Sequence, residues 1–170
     1  MNELLDIVNE YDLVIGQKYR TELYEQKLTC FRVINAFLIN DHNQIWIPRR
    51  TKHKILFPLC LDASVGGHVS AGEGYQQAFE RELKEELNLG ADHCNYRMIA
   101  QLTPHEHKVS AFMHVYIINT NVTPDYNVND FESAFWISLQ ELQQKIKNGE
   151  HCKGDLPRLI DVLQTILCSK

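Results

Sequence analysis

At 170 residues, 44% of them hydrophobic and 23% charged, the chain is long and apolar enough for one folded domain spanning 1–170. Its formal net charge of −5 offers no electrostatic attraction to nucleic acid or to an anionic membrane, and no apolar run reaches the length of a membrane span. Five scattered cysteines (Cys30, Cys60, Cys94, Cys152, Cys168) without a C-x-x-C pair read as reduced thiols, not as a disulfide or zinc framework.

The opening MNELLDIVNEYD lacks the basic and apolar regions of a secretory leader, so a cytoplasmic location is expected. Leu4 to Val8 and Leu13 to Ile15 flank a polar tetrad and predict a hairpin or a short helix-turn. Lys18 to Lys27 is polar and reads as irregular or briefly helical. Phe31 to Ile39 predicts a strand, Asp41-His42-Asn43 a turn, and Gln44 to Pro48 the partner strand.

A basic cluster, Arg49 to Lys54, interrupts the acidic chain. Such a run is usually a solvated loop, but its place just before a glycine-rich stretch favours anion binding. Phe57 to Val69 holds a short strand and a Gly66-Gly67 turn, where backbone can approach a ligand closely. Tyr75 to Leu87 follows as a helix.

On a wheel of about 100° per residue, Tyr75, Ala78, Phe79, Leu83 and Leu87 form one apolar stripe. Glu82 and Glu86 project from within or beside it, and Glu85 lies just outside. Acids on adjoining turns of one face repel and weaken a helix. Carboxylates pressed against apolar surface need a cation, a donor or a proton. Arg81 alone cannot neutralise three. A divalent metal with oxygen ligands answers the need, and magnesium binds through carboxylates together with substrate phosphates. The bland alternative is an ordinary charged helix face with an arginine partner.

Further along, strands are expected near Tyr96 to Leu102 and Val109 to Ile118. His105 and His107 have strand spacing and His114 lies in the second strand, but three such histidines are more often surface or hydrogen-bonded core residues than a zinc site. Asn121 to Asp130 reads as a loop and Phe135-Trp136-Ile137 as a short strand. Ser138, with Glu141 three residues on, forms a capping box for a helix over Leu139 to Lys147, ended by Asn148-Gly149. Asp155-Leu156-Pro157 starts a last amphipathic helix with Leu159, Ile160, Leu163, Ile166 and Leu167 on one side.

The spacing Gly67, five residues, Glu73, seven residues, then Arg81-Glu82-Leu83-x-Glu85-Glu86 and Leu89 resembles the box of the Nudix hydrolases, G-x5-E-x7-R-E-U-x-E-E-x-G-U with U aliphatic, here spanning 67–89. Asn88 stands where that family has glycine, and asparagine is the next best residue for a left-handed cap. The stretches L-V-I-G-Q, N-Q-I-W-I-P-R-R and F-P-L-C-L-D-A-S-V-G-G-H-V, with Lys54, look like the isopentenyl-diphosphate isomerase branch of the same superfamily. The resemblance implies an α/β/α sandwich around a mixed sheet, with the box as loop-helix-loop. It further implies Mg²⁺, with Mn²⁺ as a substitute, held by Glu82, Glu85 and Glu86 with the Gly67 carbonyl. Glu73 would be an outer or occasional direct ligand, or simply a compensating charge at the helix N-terminus. Arg81 would hold the glutamates in place, and Arg50 and Lys54 would meet substrate phosphate. Glu85 or Glu86, with Glu132 in the loop before Trp136 as an outside candidate, would serve as general base.

Three readings follow. A hydrolase would cleave the diphosphate linkage of a nucleoside diphosphate derivative or a related X-linked diphosphate. An isomerase would need the catalytic cysteine that its family places where this chain has Gly66, and Cys60 lies six residues away. The isomerases also use N-terminal histidines, and none occurs over 1–40. His68 and Glu106 match isomerase metal positions, but Lys108 replaces a second acid. A binding module would have lost box acids, which are kept here. The partner is therefore a small-molecule diphosphate. Homodimerisation is compatible with the chain, though no motif points to it.

Overall fold

Strand and helix order follows from where the apolar residues must go. The computed structural model describes residues 2–168. β1 (Leu4–Val8) and β2 (Val14–Tyr19) form an antiparallel hairpin. The Asn9 side chain closes its turn by accepting from the Tyr11 and Leu13 amides, both at 3.0 Å, and Asp12 takes a left-handed φ of 60°. β2 runs through Lys18 to Tyr19, beyond the expected Leu13 to Ile15. Its backbone is paired with β1 while its side chains face water, so the strand carries no apolar alternation to read. α1 (Arg20–Glu25) follows, where the sequence suggested irregular or brief helix.

The main sheet takes the order β6-β7-β3-β4-β8, built from β3 (Arg32–Ile39), β4 (Gln44–Arg50), β6 (Asn95–Leu102), β7 (Phe112–Asn119) and β8 (Phe131–Ser138). β3 and β7 are parallel and the other pairs antiparallel, so the sheet is mixed. After their turn, β3 and β4 are in register only at Ile39 and Ile45, and then diverge. The short β5 (Val65–His68) lies antiparallel on β3, with Asn35 opposite Gly66 and Ile34 opposite Gly67. Gly66 and Gly67 are thus strand residues, not the expected turn.

Alternation along β3 sends side chains to two layers. Ile34, Ala36 and Leu38 pack with Phe79, Leu83 and Leu87 of α2 (Tyr75–Leu87). Phe37 and Ile39 pack on the other face with Leu142 of α4 (Leu139–Lys147) and Leu159, Ile160 and Leu163 of α5 (Leu156–Cys168). This is the expected α/β/α sandwich around a mixed sheet. Asn88 ends α2 at φ 55°, and Ser138 caps α4 with Glu141 returning the bond.

α3 (Pro104–His107) replaces the strand spacing expected at His105 and His107, so β7 begins at Phe112 and not at Val109. His107 Nδ1 accepts from the Thr103 amide at 3.0 Å, whereas His114 stacks on Tyr75 at 3.6 Å. The three histidines go to separate partners.

Candidate active site

The divergence of β3 from β4 opens a cavity of about 360 Å³ beside β5. Glu82, Glu85 and Glu86 line it from α2, Gly66 and Gly67 from β5, and Arg50 and Lys54 from the end of β4 and the loop beyond. Helix and strand meet tightly here. A Cβ on Gly67 would stand 1.9 Å from Glu82 Oε1, so only glycine leaves that carboxylate its seat. Glu86 accepts the Gly66 amide at 2.9 Å through Oε2.

Arg81 organises the acids around it. Its Nε and one terminal nitrogen grip both oxygens of Glu73 at 2.9 Å, and that nitrogen also donates to the His68 carbonyl. The other terminal nitrogen meets Glu82 at 2.7 Å and Glu85 at 3.4 Å. Glu73 additionally accepts the Ser70 amide at 2.9 Å and is not among the cavity-lining residues. Its position is therefore that of Arg81's partner, one shell behind the acids of the cavity.

The burial expected from the wheel is realised unevenly. Glu86 is 7% exposed and the Glu82 side chain 13%, against 58% for Glu85. Burial pushes the Glu82 carboxyl up to about 7, despite the opposing Arg81 contact. Burial also raises the Glu86 carboxyl well above its ordinary value, aided by the Glu82 charge and only partly offset by the Gly66 amide and Lys153. At Glu73 burial also pushes upward, but the Arg81 and Ser70 hydrogen bonds outweigh it and hold the carboxyl below its ordinary value. His68, buried and facing Arg20, Lys153 and Arg81, is lowered to about 3 and stays neutral.

Among the described residues, no three His, Cys, Asp or Glu side chains already converge on a point that could hold a metal ion. The donor set nevertheless fits a hard divalent cation. Glu82 and Glu86 are two oxygen donors whose buried charges lack full compensation, and the Gly67 cradle brings α2 against the β5 backbone.

The basic residues are more committed than the sequence suggested. Arg50 donates to Asp62 at 2.7 Å and to the Leu56 and Phe57 carbonyls at 3.2 Å, while Lys54 is paired with Asp130. Both still line the cavity. Glu132 does not: it is exposed and lies within β8, not in a loop, as the extra residue of a bulge where Arg49 pairs with Ser133 and Arg50 with Phe131. Glu106 of α3 is likewise not a lining residue, although His68 is. Among the described residues no cysteine lines the cavity, and Gly66 occupies its floor. Asn35, Asp62, Asp130 and Lys153 line it too, and none carried a readable motif, because each is a single polar residue in a strand or loop.

Known proteins match this arrangement. A model of the NUDIX domain matches residues 31–157. An uncharacterised Nudix hydrolase of Nostoc sp. is 51% identical over 160 residues, covering 94% of this chain and 95% of that protein. A crystal structure of a Deinococcus radiodurans protein is 45% identical with a TM-score of 0.89, covering 94% of this chain and 98% of that one. An isopentenyl-diphosphate Delta-isomerase of Photorhabdus laumondii is more distant, at 24% identity over 151 residues, 85% of this chain and 84% of that protein. The match across most of the fold, the intact acid helix and the cavity it faces agree: the chain belongs to the Nudix family, as a hydrolase acting on diphosphate bonds.

Proposed function

We propose that this enzyme uses Mg²⁺, with Mn²⁺ as a substitute, to hydrolyse the diphosphate linkage of a nucleoside diphosphate derivative or a related X-linked diphosphate. The observation that carries this reading is Glu86, a buried carboxylate with one backbone amide and, among the described residues, no cation in hydrogen-bond contact, next to a second raised carboxyl on Glu82. Glu82, Glu85, Glu86 and the Gly67 carbonyl would hold the cation. A bound Mg²⁺ would neutralise diphosphate oxygens and acidify water.

The chain's own residues divide the remaining work. Arg81 fixes Glu82 and Glu85 through one nitrogen and anchors itself on Glu73 and the His68 carbonyl. Glu73 serves that anchor. Arg50 and Lys54 contribute positive potential on the cavity wall toward the diphosphate. Water oxygen bonds to one phosphorus, the bridging P–O bond breaks, and the bridging oxygen leaves with the other phosphate product. Glu85, the most exposed of the three acids, has room to take the water's proton, whereas Glu86 is pinned by Gly66. No role is proposed for Glu132. The free thiols among the described residues suit the reducing cytoplasm.

Incubation with a panel of nucleoside diphosphate derivatives and isopentenyl diphosphate, with Mg²⁺ present and both products identified, tests the proposal. Cleavage between two phosphorus atoms, lost in Glu86→Gln, is expected. Isomerisation without phosphate release would refute it, as would cleavage that persists in the variant.

A further inference from the structure

Two polar side chains on the floor of the cavity have donors that the protein leaves unused. Asn35 is 4% exposed, lines the cavity from β3, and makes no side-chain hydrogen bond among the described residues. Its Oδ1 lies 3.1 Å from the place a Cβ on Gly66 would take, and Lys153 Nζ lies 3.5 Å from the same point. A buried amide normally finds a partner within the fold. This one faces a cleft that the glycine keeps open.

Lys153 is presented rigidly. Its amide donates to the Leu61 carbonyl at 2.8 Å, Leu61 donates to the His151 carbonyl at 2.9 Å, and Leu61 bridges Cys152. The segment between α4 and α5 is thereby tied to the strand region ahead of β5. The ammonium stands 3.4 Å from Asp62 Oδ1 as an ion pair and makes no hydrogen bond among the described residues. Asp62 spends its lone pairs elsewhere, on Arg50 at 2.7 Å and on the Ala63 amide at 2.8 Å. Arg50 and Lys54 are tied into carbonyls and carboxylates, whereas Lys153 is aimed by a carboxylate and keeps its three N–H donors.

We infer that Lys153 and Asn35 are direct ligands of the substrate's phosphate oxygens, forming a specificity-determining floor around Gly66 beside the acids of α2. The inference rests on the diphosphate reading given above. Lysine supplies a point charge to an anionic oxygen, the asparagine amide donates to a second, and Gly66 keeps the floor low enough for both to be reached. Asp62 is assigned as a positioning residue, since it pairs with Arg50 and Lys153 and its own carboxylate would repel a phosphate oxygen.

The test is calorimetric binding of methylenediphosphonate, a diphosphate that cannot be hydrolysed, to the full chain in Mg²⁺. Lys153→Met is expected to weaken binding by about 10- to 100-fold, the range for a hydrogen bond to a charged group, and Lys153→Arg to restore most of it. Asn35→Asp leaves the Asp62 pair untouched, places a like charge at the floor, and should weaken binding at least as much. Mg²⁺ binding measured without diphosphonate should persist in all three, and the diphosphonate affinities are compared at saturating Mg²⁺ because Lys153 also acts on Glu86. If Lys153 were only a counter-ion of Asp62, Lys153→Met would bind within twofold of wild type; that result, or an Asn35→Asp affinity equal to wild type, overturns the inference. Wild-type protein that fails to bind methylenediphosphonate would instead sink the diphosphate reading, and the inference with it.

Discussion

Gly67→Ala separates the catalytic seat from the fold more cleanly than any acid substitution. The new Cβ would lie 1.9 Å from Glu82 Oε1, 2.0 Å from Cδ and 2.5 Å from Cγ. Real Cβ contacts stay beyond 3.0 Å, so the whole carboxyl group must retreat by roughly 1 Å. The backbone itself accepts alanine, because Gly67 is an extended strand residue outside the left-handed region. Displacing a buried carboxyl already raised to about 7 also removes an unfavourable burial, so little stability is lost.

A misplacement of about 1 Å at a reacting centre costs on the order of 10²-fold, or about 2.7 kcal/mol of transition-state stabilisation. The variant should therefore show kcat/KM down about 100-fold and a shifted Mg²⁺ dependence, with a melting temperature close to wild type. Wild-type kcat/KM and Mg²⁺ half-saturation in Gly67→Ala would refute the claim that Glu82 works from this seat.

Glu86→Gln should lower kcat/KM by at least about 100-fold while the metal-free protein melts no earlier than wild type, since a buried charge has been removed; a large fall in melting temperature would show Glu86 to be structural. Metal-free stability should fall as pH rises from about 5 to 7, because folded Glu82 keeps its proton up to about 7 while the unfolded chain releases it in the ordinary carboxyl range. Urea midpoints at pH 5.5 and 8 check this, and Glu82→Gln should reduce the difference, the raised Glu86 supplying the rest. Arg81→Lys should cost about 100-fold in activity, because one ammonium cannot span Glu73, Glu82, Glu85 and the His68 carbonyl; retained activity would mean the acids hold themselves in place. Asn88→Gly should leave stability within about 0.5 kcal/mol, whereas Asn88→Val, forced to a φ of 55°, should lose about 1–2 kcal/mol by denaturant melting.

The acid helix was legible because two periodic signals conflict in it. The apolar stripe fixes which face of α2 meets β3, and the same arithmetic carries Glu82 and Glu86 onto that face and leaves Glu85 outside, as the exposures show. Capping chemistry made Ser138 and Asn88 equally plain. What stayed hidden depends on partners distant in sequence. β2 turns most of its side chains, Val14 and Ile15 included, to solvent and exists through pairing with β1. Gly66 and Gly67 look like a turn in isolation; they are strand because their backbone pairs with Asn35 and Ile34 of β3, and Glu82 fills the space a Gly67 side chain would take. Arg50 reads as a free phosphate ligand until Asp62 and the Leu56 and Phe57 carbonyls are seen around it. Lys153 is a lone lysine in a loop, and only the Leu61 contacts bring it to the cavity.

The charge inventory of the cavity constrains the order in which ligands can be held. Arg20, Arg50, Lys54 and Lys153 line it against Glu3, Asp62, Glu82, Glu85, Glu86, Asp130 and Asp155, so acids outnumber bases. Asp62 and Asp130 already balance Arg50 and Lys54, and Arg81 is occupied by Glu73 and its neighbours. A diphosphate entering alone would meet a net negative wall at close range, where screening by salt is weak. The raised carboxyls of Glu82 and Glu86 express the same crowding: burial disfavours their charged forms, and Arg81 at Glu82 and Lys153 near Glu86 offset it only in part. On the function proposed above, a divalent cation held by Glu82, Glu85 and Glu86 would favour their ionised forms and offer positive charge to an anionic ligand. Metal and diphosphate must then strengthen one another's binding by the same factor, since linkage is reciprocal. On that proposal, the acids that make the metal-free helix unfavourable would be what couples it to a diphosphate.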